Sequence, residues 1–173
     1  MDTDGSSGEA ERTPDGRYVV VKGRRWRATD PTIPEPLRKQ LVAELMRARR
    51  LVKSEGDAAR HRVQDAKVAL GERGHPWWDP LDDDAARERL AATICALLRE
   101  RTPSTICPSD AARVAGGEAW RDLMDTARSV AAELEHSEHV VITQKGEPVD
   151  VETARGPIRI APGPNLEHPR PSP

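Results

Sequence analysis

Residues 139–160 read HVVITQKGEPVDVETARGPIRI. A β-branched run is followed by a polar stretch broken by Gly and Pro, then by a short alternating run that ends Ile-Arg-Ile. This is the pattern of two strands, 139–143 and 157–160, joined by the long loop QKGEPVDVETARG, with an Arg155-Gly156-Pro157 corner turning the chain into the second strand. What such a hairpin belongs to depends on what precedes it.

Three helical patterns precede it. WDPLDDD reads as a linker ending in an N-cap, which any of Asp82 to Asp84 can supply, and Leu90, Ile94, Leu97 and Leu98 follow on one helical stripe until Thr102 and Pro103 stop it. Pro108 suits a first helical position, and Gly116 with Gly117 suits a stop, so a short second helix carries Ala111, Ala112, Val114 and Ala115. The third, GEAWRDLMDTARSVAAELEHSE, spaces Trp120, Leu123, Met124, Ala127, Ala131 and Leu134 as a buried face. Three helices and then a hairpin is the order of a winged helix-turn-helix, and it makes residues 139–160 the wing.

Upstream, RYVVVKGRRWRAT (17–29) reads as a second hairpin turning at Gly23-Arg24. That register opposes Lys22 to Arg25, Val21 to Trp26, Val20 to Arg27 and Val19 to Ala28. One face then carries Val19, Val21, Trp26 and Ala28 and needs a core; the other carries Lys22, Arg25 and Arg27 beside Tyr18 and Val20 and faces water or an anion. A core is offered by Leu37, Leu41, Leu45, Ala48 and Val52 on one helix, opposite Lys39, Arg47, Arg50 and Lys53. A second helix, carrying Ala59, Val63, Ala66 and Leu70, closes at Gly71 and Gly74. Trp77 and Trp78 are available to dock this thin unit.

The expected class is α+β, mainly α: an N-terminal β-hairpin with an antiparallel helix pair, then a winged helix-turn-helix domain. The expected division is a disordered tail over 1–16, a small basic domain over 17–78, a linker over 79–84, the winged-helix domain over 85–162 and a disordered tail over 163–173. Both tails are poor in apolar residues and rich in Gly, Ser or Pro.

Charge divides the chain in the same way. Residues 12–53 hold twelve Lys or Arg against four acids, a balance of +8, whereas residues 81–173 hold eleven against sixteen, a balance of −5. The net charge of −2 hides this asymmetry, which is a usual mark of a polyanion partner.

Residues 85–162, in particular ICPSDAARVAGGEAWRDLM and TQKGEPVDVETARGPIR, resemble the bacterial family known as domain of unknown function 3253, which implies a winged helix. The first half, with GRRWRATDPTIPEPLRKQLVAELMRARR and VQDAKVALGERGHPWW, resembles a small actinobacterial family often labelled biopolymer transporter Tol. That label is not carried over, because no apolar run approaches the roughly 18 residues that span a bilayer. Neither resemblance implies catalytic or binding residues.

The expected function is duplex DNA binding without catalysis, in the cytoplasm. Lys22, Arg24, Arg25, Arg27, Lys39, Arg47, Arg50 and Lys53 would grip phosphates, while Arg121, Arg128 and the wing residues Lys145 and Arg155 position or read the duplex. The exposed side of the third helix, Arg121, Asp122, Asp125, Arg128 and Ser129, is nearly neutral, as is the wing, so the acidic half is a poor binder alone. The alternative is a protein-interaction or self-association module in which the basic half pairs with the acidic one and no nucleic acid is bound. With no Phe and one Tyr, recognition by base stacking is not expected.

Nothing in the sequence suggests an enzyme: there is no Gly-rich phosphate loop, HExxH or GxSxG. No cofactor, metal or small-molecule ligand is inferred. The cysteines Cys95 and Cys107 do not form a CxxC pair, so a disulfide framework is not expected. Cys95 reads as core and Cys107 as the N-cap of the second wing-domain helix, a position that favours the thiolate. His136 and His139 lack two further ligands for zinc and read as surface residues.

Overall fold

The computed structural model describes residues 10–171. Lys22 and Gly23 have φ of 51° and 76°, so they form the two-residue turn between strands β2 (Tyr18–Val21) and β3 (Arg24–Arg27). Val21 therefore pairs with Arg24 and Val19 with Trp26, not with Trp26 and Ala28. The correction follows from the turn itself, in which glycine takes the second positive-φ position and Arg24 is left in the strand. A shift of two residues preserves the faces, since side chains alternate with period 2.

Of the face expected to enter a core, Ala28 is buried but the end nearer the turn is not. Val21 is 44% exposed and Trp26 42%. Packing takes the opposite face, where the Tyr18 ring lies 5.6 Å from that of Trp78, which makes an edge contact with Trp77. Trp77 Nε1 also donates to the Ala28 carbonyl at 3.0 Å. A third strand, β1 (Glu11–Arg12), pairs with β2 at the outer edge, so part of the N-terminal stretch read as a disordered tail is ordered. Residues 1–9 of that tail lie outside the described residues.

Helix α1 (Glu35–Glu55) buries Leu37, Leu41, Leu45 and Ala48, the stripe that its spacing predicts. A 3₁₀ turn, Gly56–Ala59, reverses the chain into α2 (Arg60–Ala69). Asp82 caps α3 (Asp83–Arg101) by accepting from the Ala85 N–H at 2.8 Å. A single stripe is expected on α3, but every residue from Arg89 to Arg99 is buried. The reason is its central place: α1 and α2 pack on it as well as α4 (Pro108–Gly116) and α5 (Met124–His136).

The third helical pattern is also shorter than its spacing suggests. Gly117–Leu123 is a 3₁₀ segment that buries nothing, and α5 begins only at Met124. The chain then forms β4 (Val140–Gln144), β5 (Glu147–Pro148) and β6 (Arg159–Pro162) as an antiparallel sheet of order β5-β4-β6. The long loop is thus not wholly irregular, because Glu147 and Pro148 pair back onto Gln144 and Thr143. The α3–α4 connection joins this sheet at Ile106, which exchanges backbone hydrogen bonds of 2.9 and 2.8 Å with Ile160. The fold is α+β and mainly helical, with two three-stranded antiparallel sheets among the described residues. Among the described residues no helix is long and apolar enough to cross a membrane.

One hydrophobic cluster runs from Ile33 through Leu41, Leu70, Leu90 and Leu134 to Ile160 and Leu166. The two segments that the sequence divides at 79–84 therefore share a core. Buried charge joins them too: Arg89 reaches Asp30 at 2.8 Å and Arg99 reaches Asp65 at 2.7 Å, while within the first segment Arg62 grips Glu44 through two bonds of 2.9 Å. Isolated, any of these charges would be costly to bury; each is paired and hydrogen-bonded.

The stretch after β6 is not a loose tail over 163–171. Leu166 is buried, Arg170 bonds to Asp65 and Glu88 at 2.8 Å, and Arg99 donates to the Leu166 carbonyl at 3.0 Å. Composition suggests disorder here because one leucine and two charged side chains carry the docking.

Candidate nucleic-acid interface

The basic residues of the first half sort into two groups according to what they touch. Arg25 stacks on Tyr18 with its guanidinium carbon 4.5 Å from the ring centre, and Arg27 lies 5.6 Å over Trp78 while donating to the Gly74 carbonyl at 2.7 Å. Arg25 thus braces the hairpin internally, and Arg27 ties it to the segment that follows α2. Arg24, on the other face, lies 4.5 Å over the exposed Trp26 ring, and Lys67 of α2 reaches the same ring at 5.6 Å. Trp26 thus connects the hairpin to α2.

From Lys67 the positive surface continues. Burial lowers the pKa of this ammonium, and the neighbouring charges of Arg73 and Arg49 lower it further, against Glu72. Arg49, Arg73, Lys53 and Arg60 in turn surround a cleft between α1 and α2. Arg24, Lys67, Arg73, Arg49, Lys53 and Arg60 therefore form a continuous basic face. Asp57 and Glu72 lie beside it, whereas Asp30, Glu44 and Asp65 are buried under Arg89, Arg62, Arg99 and Arg170.

Not every candidate cation lies on this face. Lys22 is exposed in its turn. Lys39 pairs with Glu35 at 3.3 Å, and Arg47 joins α1 to α3 through Glu100 at 3.2 Å and the Arg99 carbonyl at 3.3 Å. Arg50 is exposed on α1. Arg49, Arg60, Lys67 and Arg73 were missed because charge density does not show which cations are engaged by neighbours. The i, i+4 spacing of Arg49 and Lys53 was the available signal.

In the second half the candidates are dispersed. Arg121 stacks on Trp120 at 4.5 Å within the 3₁₀ segment, opposite Arg113 at 4.7 Å. Arg128 donates to the carbonyls of Gly156 and Ala154 at 3.2 and 3.3 Å, fastening the loop before β6 to α5. Lys145, with φ of 52°, and Arg155 are exposed in that loop and its neighbouring turn. The exposed side of α5 shows Asp125, Ser129 and Glu133, and Arg87 of α3 bonds to the last two. That side presents no free cation among the described residues.

Residues 87–162 match the family described as "Protein of unknown function (DUF3253)". The matched segment runs from the first turns of α3 to the end of β6. It leaves outside the basic face, which is built from β3, α1, α2 and the turn after α2. No curated protein matches the chain.

Of the remaining candidates, Cys107 is the N-cap of α4, where its backbone N–H donates to Asp110 at 3.2 Å and its Sγ accepts from the Ser109 hydroxyl at 3.0 Å. Burial pushes the Cys95 thiol up to about 12. His139 is buried rather than on the surface, with Nε2 at 3.2 and 3.1 Å from the carbonyls of His168 and Pro169. Among the described residues no group of three His, Cys, Asp or Glu side chains is placed to hold a metal ion.

Proposed function

We propose that the protein binds duplex DNA, gripping phosphates through the basic face of β3, α1 and α2, with the DUF3253 segment folded as a winged helix. The observation that carries this reading is the continuity of six cations from Arg24 to Arg60 around Trp26 and the α1–α2 cleft. Phosphate neutralisation supplies most sequence-independent affinity for DNA. Support for the winged helix is the order of α3, α4, α5 and the β4–β6 sheet, with Ile106 paired to Ile160. In this reading Lys145 and Arg155 are wing contacts, whereas α5 is not the reading element, because its one central arginine is engaged by the loop.

The test is fluorescence anisotropy of the full chain with a random-sequence duplex at several salt concentrations. Contact with about six phosphates gives a log–log slope of roughly −5. Changing Arg24, Arg49, Lys53 and Arg73 together to Gln should flatten the slope and weaken binding equally for every sequence. Absence of binding at low salt would discard the proposal.

A second reading has one observation in its favour. Val21 and Trp26 are large apolar groups left open to solvent on the same face. A protein partner, or a second copy of the chain, would cover them, and such binding would be recognised by shielding of Trp26 fluorescence without any response to duplex DNA.

A further inference from the structure

The cleft between the end of α1 and the start of α2 encloses about 610 Å³. Its cationic rim surrounds a floor of Val52 and Val63. Arg60 is engaged by Asp57, and Arg73 donates to Gln64 at 2.6 Å. Arg49 and Lys53, one helical turn apart, make no ion pair or side-chain hydrogen bond among the described residues. A wall is supplied by the half-buried ring of His61, whose Nε2 is 2.8 Å from the Glu167 carbonyl oxygen. Burial holds the imidazole below its ordinary pKa, which keeps the ring neutral near pH 7. With Nε2 engaged by the main chain, the ring offers mainly carbon and π surface.

Two free cations suit a phosphate, but a bare phosphate has no use for an apolar floor and a neutral ring. The space falls in the range of sites for small organic ligands. A flat heterocycle attached to a phosphate fits both parts. We propose that the α1–α2 cleft binds a nucleoside phosphate unit, free or as an unpaired nucleotide of a strand, with Arg49 and Lys53 on the phosphate and the base between Val52, Val63 and His61. The strand form rests on the DNA-binding reading above and adds to it a preference for unpaired nucleotides. It also reverses the expectation drawn from the scarcity of aromatics, because a histidine and two valines do the work of an aromatic platform.

The experiment is anisotropy of the full chain at one salt concentration with a blunt duplex and with the same duplex carrying a short unpaired tail, together with calorimetry using adenosine monophosphate and inorganic phosphate. The tailed duplex should bind on the order of tenfold more tightly, as one stacked base supplies. Val52→Asn, which puts a polar amide in the floor without changing the charge of the basic face, should remove that preference and leave blunt-duplex binding nearly unchanged. If circular dichroism shows that this variant is unfolded, His61→Ala, with the same loss of preference expected, takes its place. Equal binding of the two duplexes with adenosine monophosphate bound would assign the cleft to free nucleotides. Equal binding with no nucleotide bound would overturn the cleft proposal and leave the DNA reading standing. Nucleotide binding without either duplex would do the reverse. Inorganic phosphate binding as tightly as the nucleotide would overturn the base slot.

Discussion

Asp65 shows how single side chains decide this structure. Its Oδ2 accepts from Arg99 at 2.7 Å, and its Oδ1 accepts from Arg170 at 2.8 and 3.1 Å. Asp65→Asn removes the charge between two guanidinium groups and should cost about 3–5 kcal/mol, read from the urea midpoint. Cys95 gives a pH dependence of definite sign. Its thiol pKa rises on folding from 9.0 to about 12, so its contribution to stability is complete below pH 9 and is lost as pH rises towards 12. Cys95→Ala should flatten that alkaline loss relative to the unsubstituted protein in thermal melts across the same range. In the native state Cys107 should react with iodoacetamide while Cys95 does not, and mass mapping of the alkylated residue checks this.

Among elements, the docked stretch after β6 is the most exposed to a single backbone change. A Cβ on Gly163 would meet the His139 carbonyl carbon and the Val140 nitrogen, each at 2.7 Å. Gly163→Ala should therefore release the segment, and amide exchange at Asn165, whose N–H donates to the Glu138 carbonyl at 2.9 Å, should accelerate by at least tenfold, about 1.4 kcal/mol of local opening. This segment was not legible in the sequence, because its partners lie far away in the chain and its composition is that of an unfolded tail. The α1 stripe was legible, since one buried face against one solvated face leaves a 3.6-residue period. Helix α3 was legible as a helix but not as the centre of the fold, because burial all round leaves no polar face for contrast. The basic character of the first half could be read directly. Which arginines stay free could not, since Arg47 and Arg27 differ from Arg49 and Arg24 only in neighbours brought by tertiary packing.

For the whole molecule, the shared core predicts one cooperative transition. Unfolding followed by circular dichroism and by fluorescence of Trp26, Trp77, Trp78 and Trp120 should give coincident curves, whereas independent halves would separate them. Residues 1–80 alone should lack a stable fold, because α1 and α2 would lose α3 as their partner and leave Asp30 and Asp65 without Arg89 and Arg99. Chain order then bears on biosynthesis. Asp65 leaves the ribosome 105 residues ahead of Arg170, one of the two arginines that neutralise it. The helices that carry the basic face must wait, unfinished and open to chaperones or to nucleic acid nearby, until Arg170 has been translated.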